Sequence, residues 1–294
     1  MDIRQIEYVV GVVDHGGFTR AAAALFVSQP SLSYGIRALE TELGLPLFHR
    51  TGRGVVLSSA GEAFVEAGRQ VLRDMETLRA SILAIKGERG GRLDLVCLPS
   101  LAAAELVPLM AEFRALRPHV FVRLDEPESP SRLLELIREG ECELGLTELT
   151  DHTPDGLLAH RLYEEEILAV YPPGSPKPKE GRIRFADLLG VPIVTTPLGS
   201  SSRDMIDQAF RSICAAPTIA VETNQRQAIV AMVLSGIGAA FVPAATAARI
   251  RGLGVVVVHT DPPLTRTIGM VHRNGILSPA AVTFLDLALK TRYP

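Results

Sequence analysis

The stretch Gly17–Val56, GFTRAAAALFVSQPSLSYGIRALETELGLPLFHRTGRGVV, constrains this chain more than any other. Ahead of it, Ile3, Ile6, Val10 and Val13 recur at steps of three and four, which predicts an amphipathic helix over 2–14 that ends at His15-Gly16-Gly17. Thr19 stands where an N-cap oxygen would serve an Ala-rich helix reaching about Leu25. Ser28 can cap the next helix, with Gln29-Pro30 in a first turn where the missing proline N–H does no harm. Leu32, Ile36, Leu39 and Leu43 give that helix a core face. Its opposite face carries Pro30, Ser31, Tyr34, Arg37, Ala38 and Thr41, flanked by Gln29 and Ser33. Small polar groups with one amide and one guanidinium suit a major groove, where Gln and Arg make paired contacts to base edges. His49–Leu57 then reads as a short hairpin with Arg50 and Arg53 at its tip, placed to reach phosphates or a minor groove. Together these patterns read as a winged helix-turn-helix.

Composition alone would miss this. The net charge is −3, and through Ser58 five arginines (4, 20, 37, 50 and 53) are cancelled by five acids (2, 7, 14, 40 and 42). No apolar run is long enough to span a bilayer and the start lacks the marks of a signal peptide, so the expected location is the cytoplasm, away from membranes. Cys97, Cys142 and Cys214 lie far apart without CxxC spacing, which argues against a disulfide framework or zinc site. The seven histidines show no metal-ligand spacing, and neither a metal nor a cofactor is expected.

The run FTRAAAALFVSQPSLSYGIRALETELGLPLFHRTGRGVVLSSAGE closely resembles the N-terminal signature of LysR-type transcriptional regulators, and a weaker resemblance continues over the full length. It implies an α+β/α/β multidomain fold: a winged helix-turn-helix, a dimerising linker helix and a two-lobed α/β effector domain like a type 2 periplasmic binding protein. The implied partners are double-stranded promoter DNA, a small-molecule effector, further copies of the chain as a dimer or tetramer, and RNA polymerase. Gln29, Pro30, Ser31, Ser33, Arg37, Arg50 and Arg53 fall on DNA-contacting positions of that family, and Thr19, Arg20 and Tyr34 complete the candidate set. Tyr34-Gly35 departs from the polar or basic pair usual there, and a glycine inside a helix costs ~1 kcal/mol relative to alanine.

The expected domains are 1–58, a linker helix over 59–87 and an effector domain over 88–294, the last split into a first lobe (about 91–161 plus 268–294) and a second (about 162–267). Ser58 or Ser59 can cap the linker helix, and Ser59 with Glu62 has capping-box spacing. Phe64, Gly68, Val71, Met75, Leu78, Ile82 and Ile85 then form a heptad seam, with Arg69, Arg73 and other charges beside it, so a homodimer is expected. Gly87–Gly91 is a hinge by composition.

Strands and helices alternate beyond that point, which implies a parallel sheet with crossover helices. Ligands of such sheets bind past the carboxyl ends of strands, often at helix N-termini that favour anions. Ser100 and Leu101, Thr147, and Thr196 with Ser200, Ser201 and Ser202 occupy such points, and Ser129 and Asn224 sit in similar loops. An anionic metabolite is the expected effector. Glu164-Glu165-Glu166 reads as a solvated lobe edge. An α/β enzyme is the first rival, but no GxGxxG, P-loop or nucleophile elbow is present. A cysteine-based redox regulator is another, and would need two cysteines within reach of each other.

Overall fold

The computed structural model describes all residues except 52, 53, 86–90, 128, 151, 179, 180 and 294, and the side chains of 50, 51, 54, 80, 81, 83–85, 103 and 104 are likewise left undescribed. The hinge expected at Gly87–Gly91 therefore lies outside the described residues apart from Gly91, as does Arg53. No helix of the described residues is long and apolar enough to cross a membrane.

Asp2 caps α1 (Ile3–Asp14) in a reciprocal box with Gln5. The helix buries Ile6, Val9, Val10 and Val12; Ile3 is exposed, so the buried face is rotated from the one the three-four spacing suggests. Helix α2 (Phe18–Ala24) starts two residues earlier than expected. Gly17 is its N-cap and no side chain closes it, so Thr19 lies inside the helix rather than at its head. Ser28 does cap α3 (Gln29–Leu43), accepting from Ser31 N at 3.2 Å, and Gly44 ends it in the left-handed region. Leu32, Ile36 and Leu39 are buried against Val9, Val12, Ala21 and Ala22, whereas Leu43 is exposed. Strands β1 (Phe48–Thr51) and β2 (Gly54–Leu57) pair antiparallel as the wing.

Helix α4 (Ser59–Ile85) runs for 27 residues. Ser58 rather than Ser59 serves its first turn, accepting from Gly61 N at 3.0 Å while donating to the Pro46 carbonyl at 2.6 Å. Near its start it crosses α1 so closely that a Cβ on Gly68 would meet Ile6 Cγ2 at 2.9 Å.

The effector half contains β3 (Gly91–Cys97), α5 (Pro99–Leu101), a π-helical turn over Ala102–Leu106, α6 (Val107–Leu116), β4 (Val120–Asp125), α7 (Pro130–Arg138) and β5 (Leu144–Leu149). There follow β6 (Leu157–Tyr171), β7 (Arg182–Arg184), β8 (Pro192–Thr195), α8 (Ser201–Arg211), β9 (Thr218–Glu222) and α9 (Arg226–Leu234). The chain ends with β10 (Ala240–Pro243), α10 (Ala244–Ile250), β11 (Val256–Asp261), β12 (Leu264–Arg273) and α11 (Pro279–Lys290).

The sheet is mixed, not parallel throughout. Its order is β4-β3-β5-β12-β6-β11-β7, with β10 also paired to β6, while β8 and β9 form a separate parallel pair. Strand β3 is parallel to β4 and β5, whereas β12 runs antiparallel to β5 and β6. The reason is the length of β6 and β12. Each serves both lobes, pairing β12 with β5 at one end and β6 with β10 and β11 at the other. Their mutual register shifts between Ile268 and Gly269, a bulge that bends the pair where the chain passes from one lobe to the other. The first lobe closes around Phe113 and Phe284, packed edge to face at 5.4 Å, and the second holds two smaller cores around Val170 and Phe210.

Candidate nucleic-acid interface and interlobe cleft

Gln29, Pro30, Ser31, Tyr34 and Arg37 are exposed along one side of α3, and Ser33 is half-buried beside them. Gln29 Nε2 donates to Ser33 Oγ at 2.8 Å, and Ser28 and Ser31 share a hydroxyl bond at 2.7 Å, so the polar head of the helix is pre-ordered. Tyr34 is 77% exposed, and its neighbour Gly35 has a packing reason: a Cβ there would meet the Tyr8 ring at 2.9 Å. The helix thus accepts the cost of an internal glycine so that α1 can lie close against it.

Four of the five acids that cancel the charge of this region are occupied elsewhere. Asp2 caps α1, Glu42 holds the N-terminal ammonium at 2.6 Å, Asp14 pairs with Arg69, and Glu40 accepts from Leu47 N at 2.7 Å and Phe48 N at 3.2 Å. Glu40 therefore fixes the entry to the wing instead of facing outward. Thr19 and Arg20 are exposed on α2, and the Arg20 guanidinium bonds the Gly16 carbonyl. The backbone of Arg50 lies in β1.

Helix α4 has two working faces. Arg69 joins Asp14 of α1 to Glu141 of the first lobe, at 2.6 Å for the latter, and Arg73 reaches Asp94 of β3 at 3.6 Å. Asp94 also receives Arg92 and Arg123. The two arginines expected beside a dimer seam thus tie α4 to its own effector domain. Val71, Leu78 and Ile82 are 41, 56 and 49% exposed, on a side roughly 180° from Arg69, Arg73 and the buried Thr77 at 100° per residue. Met75 is half-buried between them, and Phe64 packs against the helix-turn-helix core; the Ile85 side chain is outside the described set.

Between the lobes, Ser100 at the start of α5 accepts from Arg266 Nη1 at 3.0 Å. Arg266 and Glu165 stand directly opposite on β12 and β6, joined at 2.6 and 2.5 Å with side chains 1 and 5% exposed. The middle residue of the expected solvated run is therefore buried; only its neighbours face outward, Glu164 to Arg161 and Glu166 to His259. Tyr163 donates to Glu105 on the π-helical turn at 2.9 Å and stacks on Tyr293. Burial, with Glu165 nearby, pushes the Glu105 carboxyl up to about 7. Across the cleft, Ser201 Oγ donates to Glu148 Oε2 at 2.7 Å. Thr196 and Ser200 share a bond at 2.6 Å, and Ser200 caps α8 by accepting from Arg203 N. A cavity of about 400 Å³ opens here, lined by Pro130, Glu148 and Thr150 from the first lobe and by Phe185, Ser201, Asp204, Met205 and Gln208 from the second.

Comparison with known proteins settles the family. Residues 3–62 match the bacterial regulatory helix-turn-helix protein, lysR family, and residues 86–292 match the LysR substrate binding domain. The chain belongs to the LysR family. The HTH-type transcriptional regulator XapR of Escherichia coli (strain K12) is 28% identical over 97% of this chain and 96% of its own length. Full-length OxyR of Pseudomonas aeruginosa superposes with a TM-score of 0.80 at 24% identity, over 99% of this chain and 95% of that one. Full-length CbnR complexed with its target DNA gives 0.64 at 24% identity, over 98% and 99%. These two likenesses speak to fold. With both LysR-family domains present, the chain is a DNA-binding transcriptional regulator with a substrate-binding domain.

For a LysR-family cleft, the sequence found the serines but not their partners. Ser100, Thr196, Ser200 and Ser201 lie in the bonds just described, and Ser202 accepts from Arg226 at 3.3 Å. Thr147 is 1% exposed and its hydroxyl has no hydrogen-bond partner among the described residues. Leu101 is core, Ser129 caps α7, and Asn224 is exposed after β9 with no side-chain bond to the others. Glu105, Glu148, Tyr163 and Arg266 were not singled out, and Glu165 was read only as part of a solvated edge. Only the strand alternation of β6 could have pointed inward for Tyr163 and Glu165. Cys97 and Cys142 are buried in the first lobe, where desolvation raises both thiols, Cys142 to about 12; Cys214 is exposed. High pKa values leave the buried pair as thiols, which are poor nucleophiles.

Proposed function

We propose that this LysR-family regulator binds promoter DNA as a dimer or dimer of dimers. In this reading, α3 enters the major groove through Gln29, Pro30, Ser31, Ser33, Tyr34 and Arg37. Arg50 and Arg53 of the wing, with Thr19 and Arg20, reach the sugar-phosphate backbone. The observation that carries the oligomer is the two-faced α4, which spends Arg69 and Arg73 on its own effector domain and leaves Val71, Leu78 and Ile82 exposed. A second copy that covers this stripe places two readers on one duplex. A small molecule held between the lobes shifts the bulged crossing of β6 and β12 and, through Arg69, the setting of the reading head. The cell compartment is the cytoplasm, where the DNA is, and RNA polymerase is the further partner. The chain acts by binding rather than by catalysis.

Footprinting the intergenic DNA beside its own gene with purified protein tests this reading. Two protected half-sites about one helical turn apart, or a multiple of it, are expected, with protection that weakens as salt rises. Salt-insensitive protection, or none there or at other promoter regions, contradicts it.

A further inference from the structure

The sequence suggests an anionic effector because serine-capped helix starts favour anions. The walls of the interlobe cavity carry the opposite preference. Its charged side chains are Glu148, from β5 of the first lobe, and Asp204, from the first turn of α8 in the second. Among the described residues, no lysine or arginine lines it. Arg226, which donates to Ser202, and Arg203, which pairs with Asp207 and Glu222, are both outside the lining.

Both features of the cleft that would welcome an anion are already filled from within the chain. The start of α8 faces Glu148, which buried Ser201 holds through Oε2. Arg266 is neutralised by Glu165 in a pair closed to solvent. Among the described residues Ser201 is the sole hydrogen-bond donor to Glu148, so Oε1 keeps open acceptor capacity, and no hydrogen bond engages the Asp204 carboxylate. The volume, about 400 Å³, lies within the range of small-molecule sites, and Phe185 and Met205 offer apolar wall to a carbon body.

We propose that the cavity takes a small molecule with a protonated nitrogen, an ammonium or guanidinium, held between Glu148 and Asp204. This rests on the reading of the cleft as the effector site. One carboxylate comes from each lobe, so a cation bound to both ties the lobes together and converts occupancy into lobe closure. A carboxylate ligand in the same place would meet two like charges and no countercharge.

The test is thermal melting of the full-length protein at fixed ionic strength with 1,4-diaminobutane, agmatine, succinate and 1,4-butanediol. Wild type is compared with Glu148→Gln and with Asp204→Asn, the latter at an exposed position whose carboxylate makes no hydrogen bond among the described residues. A rise of roughly 3 °C at ten times the dissociation constant is expected with either amine. It is lost in both variants and absent with succinate and butanediol. A rise with succinate or butanediol leaves the effector cleft standing and overturns the cationic class. An amine effect that persists undiminished in both variants marks surface binding and overturns the site. No rise with any probe overturns both the class and the cleft reading.

Discussion

Helices α3 and α8 start in the same way, yet they face opposite chemistry. Each is capped by a serine, Ser28 or Ser200, whose hydroxyl accepts from the backbone three residues on, and each carries small polar groups in its first turn. Free N–H groups make both starts electropositive. On α3 the first turn is exposed, and the neighbouring acids are turned into caps and ion pairs, so a polyanion can approach. On α8 Ser200 and Ser201 are buried and Glu148 already sits against them. The cap signal therefore gives the location of a helix start and says nothing about the charge that the fold sets in front of it.

The largest expected effect lies at the buried ion pair between the lobes. Glu165→Ala leaves the Arg266 charge buried and unpaired, and should cost about 3–5 kcal/mol in urea unfolding. Replacing both, Glu165→Leu with Arg266→Met, should recover most of that loss. A single variant within about 1 kcal/mol of wild type would mean that the pair is hydrated in solution. On the α3 side, Arg37→Ala should weaken specific DNA by about 1–3 kcal/mol, while Ser201→Ala leaves DNA affinity unchanged. Equal losses in fluorescence anisotropy would erase the distinction between the two helices.

The caps give a finer comparison. Ser28→Ala should cost ~1 kcal/mol and Ser200→Ala more, because Ser200 also satisfies the Thr196 hydroxyl in a buried setting. A further comparison is a pH dependence. The folded Glu105 carboxyl binds its proton more tightly than the usual 4.5, near 7, so the associated stability is complete below about pH 4.5 and is lost as pH rises through about 7. Glu105→Gln should flatten that decline in melting curves between the two values. An unchanged slope would place the titration at another buried acid, such as Glu143, which burial also raises.

How much of this was legible depended on how local each cause is. Ser28 acts on a backbone three residues away and is read as a cap from the sequence; Ser129 and Ser200, offered as cleft residues, cap α7 and α8 by the same local bond. Thr19 failed as a cap because Gly17, at φ +144, turns the chain into α2 two residues earlier. Gly35 looked like a weak point in α3 until Tyr8 supplied its neighbour. Glu165 and Arg266 are 101 residues apart, and their meeting follows from β6 and β12 crossing both lobes, which the alternation of strands and helices does not encode. The same crossing turned the expected parallel sheet into a mixed one. Likewise the seam on α4 was visible as a heptad, whereas the opposite, arginine-bearing face acquires its role only when the first lobe packs against it.

The central claim is that an open, serine-capped α3 reads DNA while the similar start of α8 is closed to anions. Its most direct test is the salt dependence of full-length protein binding to a labelled duplex from the footprinted region, followed by anisotropy in wild type and Arg37→Ala. Binding should fall linearly on a log–log scale between roughly 50 and 200 mM salt, with Arg37→Ala weaker on its own site than on unrelated DNA. A flat salt response, or an Arg37→Ala protein that binds its site as tightly as wild type, would contradict it.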